Sequence, residues 1–87
     1  MTGTKRSSEG LDARRRKLLF RSWHRGMREM DLILGRFADA EIGALTAEEI
    51  DQYEGLLDIP DTDFLPLITG EIPVPADIDC AVLQKIL

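Results

Sequence analysis

The sequence predicts an all-α domain, a small bundle of five helices with short connections. Three observations predict it. Apolar residues recur at helical spacing in successive segments. No stretch alternates apolar and polar residues over a strand's length. One helix start carries a reciprocal capping signature. At 87 residues the chain forms one domain with a modest core, too small for a deep, enclosed active site. It divides into a polar N-terminal arm, residues 1–10, expected to be disordered, and a single helical domain, residues 11–87.

The first helix is predicted from Asp12 to about His24. Leu11, Leu18, Leu19, Phe20 and Trp23 supply its apolar side, and Arg14, Arg15, Arg16, Lys17 and Arg21 point mostly outward. A turn is expected near Arg25-Gly26. The second helix carries Met27, Met30, Leu34 and Phe37, spaced 3, 4 and 3, with Ile33 and Ala38 widening the stripe. The third has the clearest start. Thr46 and Glu49 form a capping box, and Leu45 and Ile50 occupy the positions of a hydrophobic staple. Its buried side is Ile50, Tyr53, Leu56 and Leu57, and Pro60 ends it near Asp58 by disfavouring helical geometry at Ile59. Asp61-Thr62-Asp63 offers two caps for a short fourth helix. Asp63 is the better one, because Pro66 then falls at the third helical position, where no internal donor is needed. Phe64, Leu65 and Ile68 pack, and Gly70 ends the helix. Ile72-Pro73-Val74-Pro75 is an extended connector. A last helix from about Ala76 turns Ile78, Val82, Leu83 and Ile86 inward.

The net charge of −5 conceals a strong polarity. Residues 1–30 hold nine Lys/Arg and three Asp/Glu, a balance of +6. Residues 31–87 hold two Lys/Arg and thirteen Asp/Glu, a balance of −11. Such a distribution serves a nucleic-acid arm, an acidic partner or internal complementarity. Cys80 is the only cysteine, which leaves no internal disulfide and no cysteine-based zinc site, and fits a reducing compartment. Neither a signal peptide nor a membrane-length apolar run is present, so a cytoplasmic location without membrane insertion is expected.

Enzymatic chemistry finds little support. His24 is the only histidine, and beside arginines it reads as a surface or capping residue. Ser22 lacks the remaining members of a triad. No glycine-rich phosphate loop or dinucleotide fingerprint occurs. Glu48, Glu49, Asp61 and Asp63 are accounted for by capping, and Cys80 reads as a small buried apolar residue. The expectation is a protein that is not an enzyme, with no catalytic and no metal-ligating residues.

What stands out is Arg25-Gly26-Met27-Arg28-Glu29-Met30-Asp31. Were it helical, Arg25 and Glu29 would share a face in the weaker order for an ion pair, and Gly26 would cost roughly 1 kcal/mol relative to alanine. A segment that only packed would need neither. The cluster reads as a contact surface, with Trp23 and Arg21 as secondary contacts of interface hot-spot composition.

These residues resemble the RGxxE region of the SdhE family, the small succinate dehydrogenase assembly factors called flavinators in mitochondria. The resemblance continues through Leu56-Leu57-Asp58, Pro60-Asp61-Thr62-Asp63, Ile68-Thr69-Gly70 and Pro73-Val74-Pro75, and spans residues 14–87. One departure is Leu65-Pro66-Leu67, where many relatives carry a tryptophan. The resemblance implies a five-helix fold and a chaperone-like FAD assembly factor. Such a factor binds the flavoprotein subunit of succinate dehydrogenase, and in bacteria also fumarate reductase, and promotes covalent attachment of FAD to a histidine of that partner. It implies partner-binding roles for Arg25, Gly26 and Glu29, with Arg28 and Asp31 as the usual extension. It further implies that this chain holds no cofactor stably, FAD being attached to the partner. A bacterial, cytoplasmic protein, monomeric when free, is expected.

Two other readings compete. A helical interaction module or antitoxin-like adaptor predicts the same fold without a flavin role. A nucleic-acid-binding domain would use Arg14 to Lys17 as a phosphate-contacting stripe, but the acidic body and the lack of a recognition helix argue against it.

Overall fold

The computed structural model describes residues 10–87. The expected arm lies outside the described residues apart from Gly10. Among the described residues there are five helices and no strand: α1 (Ala13–Trp23), α2 (Arg28–Glu41), α3 (Ala47–Leu57), α4 (Asp61–Thr69) and α5 (Ala81–Ile86). The Cα envelope measures 37 × 29 × 17 Å, so its shortest direction is about two helix diameters thick. α1 packs most extensively on α2, and α3 packs on α1 and α5.

The first and third helices begin as the sequence predicts, whereas Met27, expected on the second helix, is the extended residue that precedes it. Asp12 caps α1 by accepting from Arg15 N at 2.8 Å. At α3, Thr46 Oγ1 accepts from Glu49 N at 3.1 Å, and Glu49 Oε1 accepts from Thr46 N at 2.9 Å. That backbone donor, and then Lys85, hold the Glu49 carboxyl below its ordinary range. Leu45 and Ile50 are both buried, as a staple requires. The core comprises Leu18, Leu19, Met30, Leu34, Ile50, Tyr53, Phe64 and Val82 with their buried neighbours.

One close approach fixes the α1–α2 pairing. A Cβ on Gly35 would lie 2.2 Å from Cδ2 of Trp23. Only glycine lets the indole lie against the α2 backbone. Trp23 is 7% exposed, and its Nε1 donates to Asp39 at 3.1 Å. It is therefore a core residue, and the secondary contact expected of it is corrected. Behind it, Ser22 Oγ donates to the Leu18 carbonyl at 2.7 Å and is hydrogen-bonded to the Tyr53 hydroxyl at 2.5 Å. Burial of Tyr53 pushes its phenol up to about 12, partly opposed by the Ser22 hydrogen bond.

Several boundaries and faces differ from expectation. α4 begins at Asp61 with Pro60 at its cap, not after Asp63, and Pro66 stands inside it. The Asp61 carboxylate is occupied by Arg25, and that contact draws the first turn forward. Pro66 then leaves the Thr62 carbonyl without its usual donor, but Thr62 is exposed, so water can serve. α5 begins at Ala81 rather than near Ala76. Residues 75–79 instead make a separate turn, with Ile78 N and Asp79 N both donating to the Pro75 carbonyl at 3.2 Å. Gln52 of α3 reaches across to accept from Val82 N at 3.3 Å, which sets where the helix starts. Cys80 precedes it and is half-buried rather than buried. Phe20, expected on the apolar side of α1, is 62% exposed. Arg15, expected outward, turns to the end of α2, where Nε donates to the Ile42 carbonyl at 3.0 Å and Nη2 to the Leu45 carbonyl at 2.5 Å.

Candidate functional site

The segment between α1 and α2 is not helical. Gly26 has φ +94°, a conformation that side chains bearing a Cβ resist. The turn it makes separates the two halves of the cluster. Arg25 lies before the turn and Glu29 after it, in the first turn of α2, so the two are not an i,i+4 helical pair.

Arg25 faces its own chain. Its Nε donates to Asp61 Oδ1 at 2.8 Å, and its Nη2 makes an ion pair with the same carboxylate at 2.7 Å. Nη1 donates to the Leu57 carbonyl, and Nη2 to the Ile59 carbonyl at 2.6 Å. The side chains of Arg25 and Asp61 are only 10% and 17% exposed. The guanidinium thus gathers the carbonyls left open at the end of α3 and the carboxylate that opens α4. Asp31 holds the other side, its Oδ1 accepting from Arg25 N at 2.6 Å. Both are positioned inward, as ties between the α1–α2 turn and its surroundings.

Gly26, Arg28 and Glu29 are exposed. A Cβ on Gly26 would meet nothing within 4 Å. The structure therefore divides the five residues: Gly26, Arg28 and Glu29 form an open edge, and Arg25 and Asp31 brace it from behind. Arg21 is part of the same region but is ion-paired with Asp58 at 3.0 Å. Beside it, the exposed rings of Phe20 and His24 stack, with centroids 3.9 Å apart, and His24 Nδ1 lies 2.7 Å from the Phe20 carbonyl. A shallow cleft separates these rings from Asp58, Ile59 and Pro60.

Much of the charge polarity is consumed inside the molecule. Arg14 Nη2 meets Asp51 at 2.7 Å and Glu54 at 2.8 Å, and the Glu54 and then Asp51 hydrogen bonds raise its pKa above the ordinary arginine value. With Arg15 turned to α2 and Arg14 to α3, the Arg14-to-Lys17 run is not a continuous phosphate-facing stripe. Among the described residues no group of three His, Cys, Asp or Glu side chains converges as it would around a metal ion. Among the described residues no helix is long and apolar enough to cross a membrane.

The partners of Arg25 were not legible in the sequence. They lie 32 to 36 residues away, and Asp61 reads locally as a cap. The Gly35–Trp23 contact was equally hidden, although a glycine between the apolar positions Leu34 and Phe37 was an available signal of close helix approach.

Comparison with known families bears directly on this geometry. The family described as "Flavinator of succinate dehydrogenase" matches residues 16–87, which contain the whole braced turn and all but the start of α1. This chain belongs to that family. Among flavinator relatives, the "FAD assembly factor SdhE" of Acetobacter pasteurianus is 35% identical over 81 residues, covering 93% of this chain and 74% of its own length. The mitochondrial "succinate dehydrogenase assembly factor 2" of Debaryomyces hansenii is 43% identical over 58 residues, 67% of this chain and 41% of its own. That of Dictyostelium discoideum is 38% identical over 76 residues, 87% of this chain and 54% of its own. The chain thus spans about half the length of these mitochondrial relatives. No solved structure matches it.

Proposed function

We propose that this flavinator-family chain is an FAD assembly factor. It binds the flavoprotein subunit of succinate dehydrogenase, and fumarate reductase where that is present, and promotes covalent attachment of FAD to a histidine of that subunit. The flavin stays with the partner, and this chain holds no cofactor of its own. It acts as a soluble cytoplasmic monomer.

The observation that carries the reading is the open edge at Gly26, Arg28 and Glu29 in a family member. Gly26 is exposed, has φ +94° and has nothing within 4 Å of where a Cβ would stand. The positive φ by itself favours a glycine at this turn; the open space above it leaves room for a partner backbone to sit against the edge. Arg25 contributes by fixing the turn, through Asp61 and the two carbonyls, rather than by offering its guanidinium to a partner carboxylate. Arg28 and Glu29 supply a cation and an anion at the rim for orientation.

The mechanism is catalysis by positioning. Covalent flavinylation joins the isoalloxazine to a nearby histidine within the partner. A helper that binds the reactive arrangement of the partner more tightly than the open one raises its population. No proton transfer by this chain is required.

The test is flavin fluorescence of the denatured flavoprotein subunit from cells lacking this gene, complemented with wild type, Gly26→Ala or Gly26→Arg. The positive φ strains both variants alike, by roughly 1–2 kcal/mol, and only arginine adds bulk to the edge. Wild type and Gly26→Ala restoring fluorescence, with Gly26→Arg failing, is expected. Equal restoration by Gly26→Arg would refute the bare-edge argument, and fluorescence independent of the gene would refute the function.

A further inference from the structure

We infer that the outer face of α1, centred on Phe20, is a second docking surface for the same partner, and that it receives an apolar side chain surrounded by carboxylates on the flavoprotein subunit. The inference rests on the function proposed above.

Among the described residues Phe20 is the most exposed large hydrophobic, at 62%, against 46% for Ile72 and 49% for Leu87. Its ring nonetheless has a packing neighbour. It stacks on His24 with an interplanar angle of 13°, and His24 is tied to the Phe20 carbonyl through Nδ1 at 2.7 Å. A solvent-facing aromatic that is already packed loses less freedom on association, which is the property that makes such residues anchors.

Charge selects the occupant. Lys17, Phe20, Arg21 and His24 fall at i, i+3, i+4 and i+7, so they share one side of α1. Arg21 is neutralised by Asp58, but Lys17, and Arg28 beyond the turn, have no carboxylate partner among the described residues. Arg16 adds a third cation, its Nη1 spent on the uncharged Leu11 carbonyl. The remaining body, residues 31–87, has a balance of −11 and stays negative after Asp51, Glu54, Asp58 and Asp61 are paired with Arg14, Arg21 and Arg25. A partner surface rich in Asp and Glu is repelled by most of this molecule and attracted to this end of it. The stripe also runs into the edge described above, since His24 is separated from Gly26 only by Arg25. One partner can therefore engage both.

The test is isothermal titration of the purified flavoprotein subunit of succinate dehydrogenase with wild type, Phe20→Ser, Lys17→Glu and Ile72→Ser. Phe20→Ser is expected to weaken binding at least about tenfold, and Lys17→Glu to weaken it at low salt with a shallower salt dependence. Ile72→Ser is expected to bind as wild type. Melting curves of the variants are expected to match wild type, because all three side chains are exposed. Wild-type binding with Phe20→Ser unchanged would overturn the second surface and leave the proposed function standing. Loss of binding by Ile72→Ser equal to that by Phe20→Ser would also overturn it, by showing no preference for this face. Absence of wild-type binding would overturn both the function and the surface.

Discussion

Arg25→Ala is the perturbation that most directly separates bracing from contact. The side chain makes four polar interactions, two with Asp61 and one each with the Leu57 and Ile59 carbonyls. Truncation leaves a carboxylate that is 17% exposed without its cation. Breaking a buried pair from one side costs about 3–5 kcal/mol. The residual exposure lets water reach part of the site, so roughly 3 kcal/mol is the expected loss. An 87-residue domain has a total stability of roughly 4–13 kcal/mol, so the loss is a large share. At about 4–8 °C per kcal/mol for this size, the melting temperature should fall by roughly 12–24 °C. Urea unfolding followed by circular dichroism measures it directly. Asp61→Asn and the double variant complete a cycle, whose coupling energy should exceed about 1 kcal/mol. Arg25→Lys should recover only part of the stability, because an ammonium cannot reach three acceptors in a fork. An Arg25→Ala protein within about 0.5 kcal/mol of wild type would refute the bracing argument, and direct partner contact would become the better account of this residue.

Two further outcomes are expected. Gly35→Ala forces a Cβ to within 2.2 Å of the Trp23 ring; it should cost at least about 1–3 kcal/mol and alter the fluorescence of the single tryptophan, and an unchanged urea midpoint would show that the indole can move aside. Tyr53 is the only tyrosine, and burial raises its phenol from 10.0 to about 12 in the folded chain; its stabilising contribution is therefore complete below about pH 10 and is lost as pH rises towards 12, so phenolate absorbance should appear together with unfolding, and a phenolate formed near pH 10 in a protein that is still folded would contradict its burial.

The arginines show why the two levels of reading diverge. Arg14, Arg15 and Arg21 look alike in sequence, as outward charges on an amphipathic helix, and Arg25 just beyond them reads as a partner contact. In the fold, Arg14 and Arg21 meet carboxylates on and beside α3, while Arg15 and Arg25 satisfy carbonyls at the ends of α2 and α3. Trp23 and Phe20 both read as apolar-side residues of α1, Trp23 with a secondary contact role besides. The fold separates them, because the indole lies against Gly35 and the phenyl ring is left exposed.

By itself the sequence determined the all-α class, the five helices, the starts of α1 and α3 and the position of the RGxxE-like cluster. Those depend on periodicity and on caps that act over three or four residues. Only the tertiary structure decided that Arg25 turns inward, that Gly26, Arg28 and Glu29 remain open, and that α4 and α5 begin at Asp61 and Ala81. The inward turn of Arg25 and the two helix starts rest on partners some 30 residues away: Asp61 and two carbonyls for Arg25, Arg25 for α4, and Gln52 for α5. A local pattern cannot contain that information, because such contacts exist only after the chain has closed on itself.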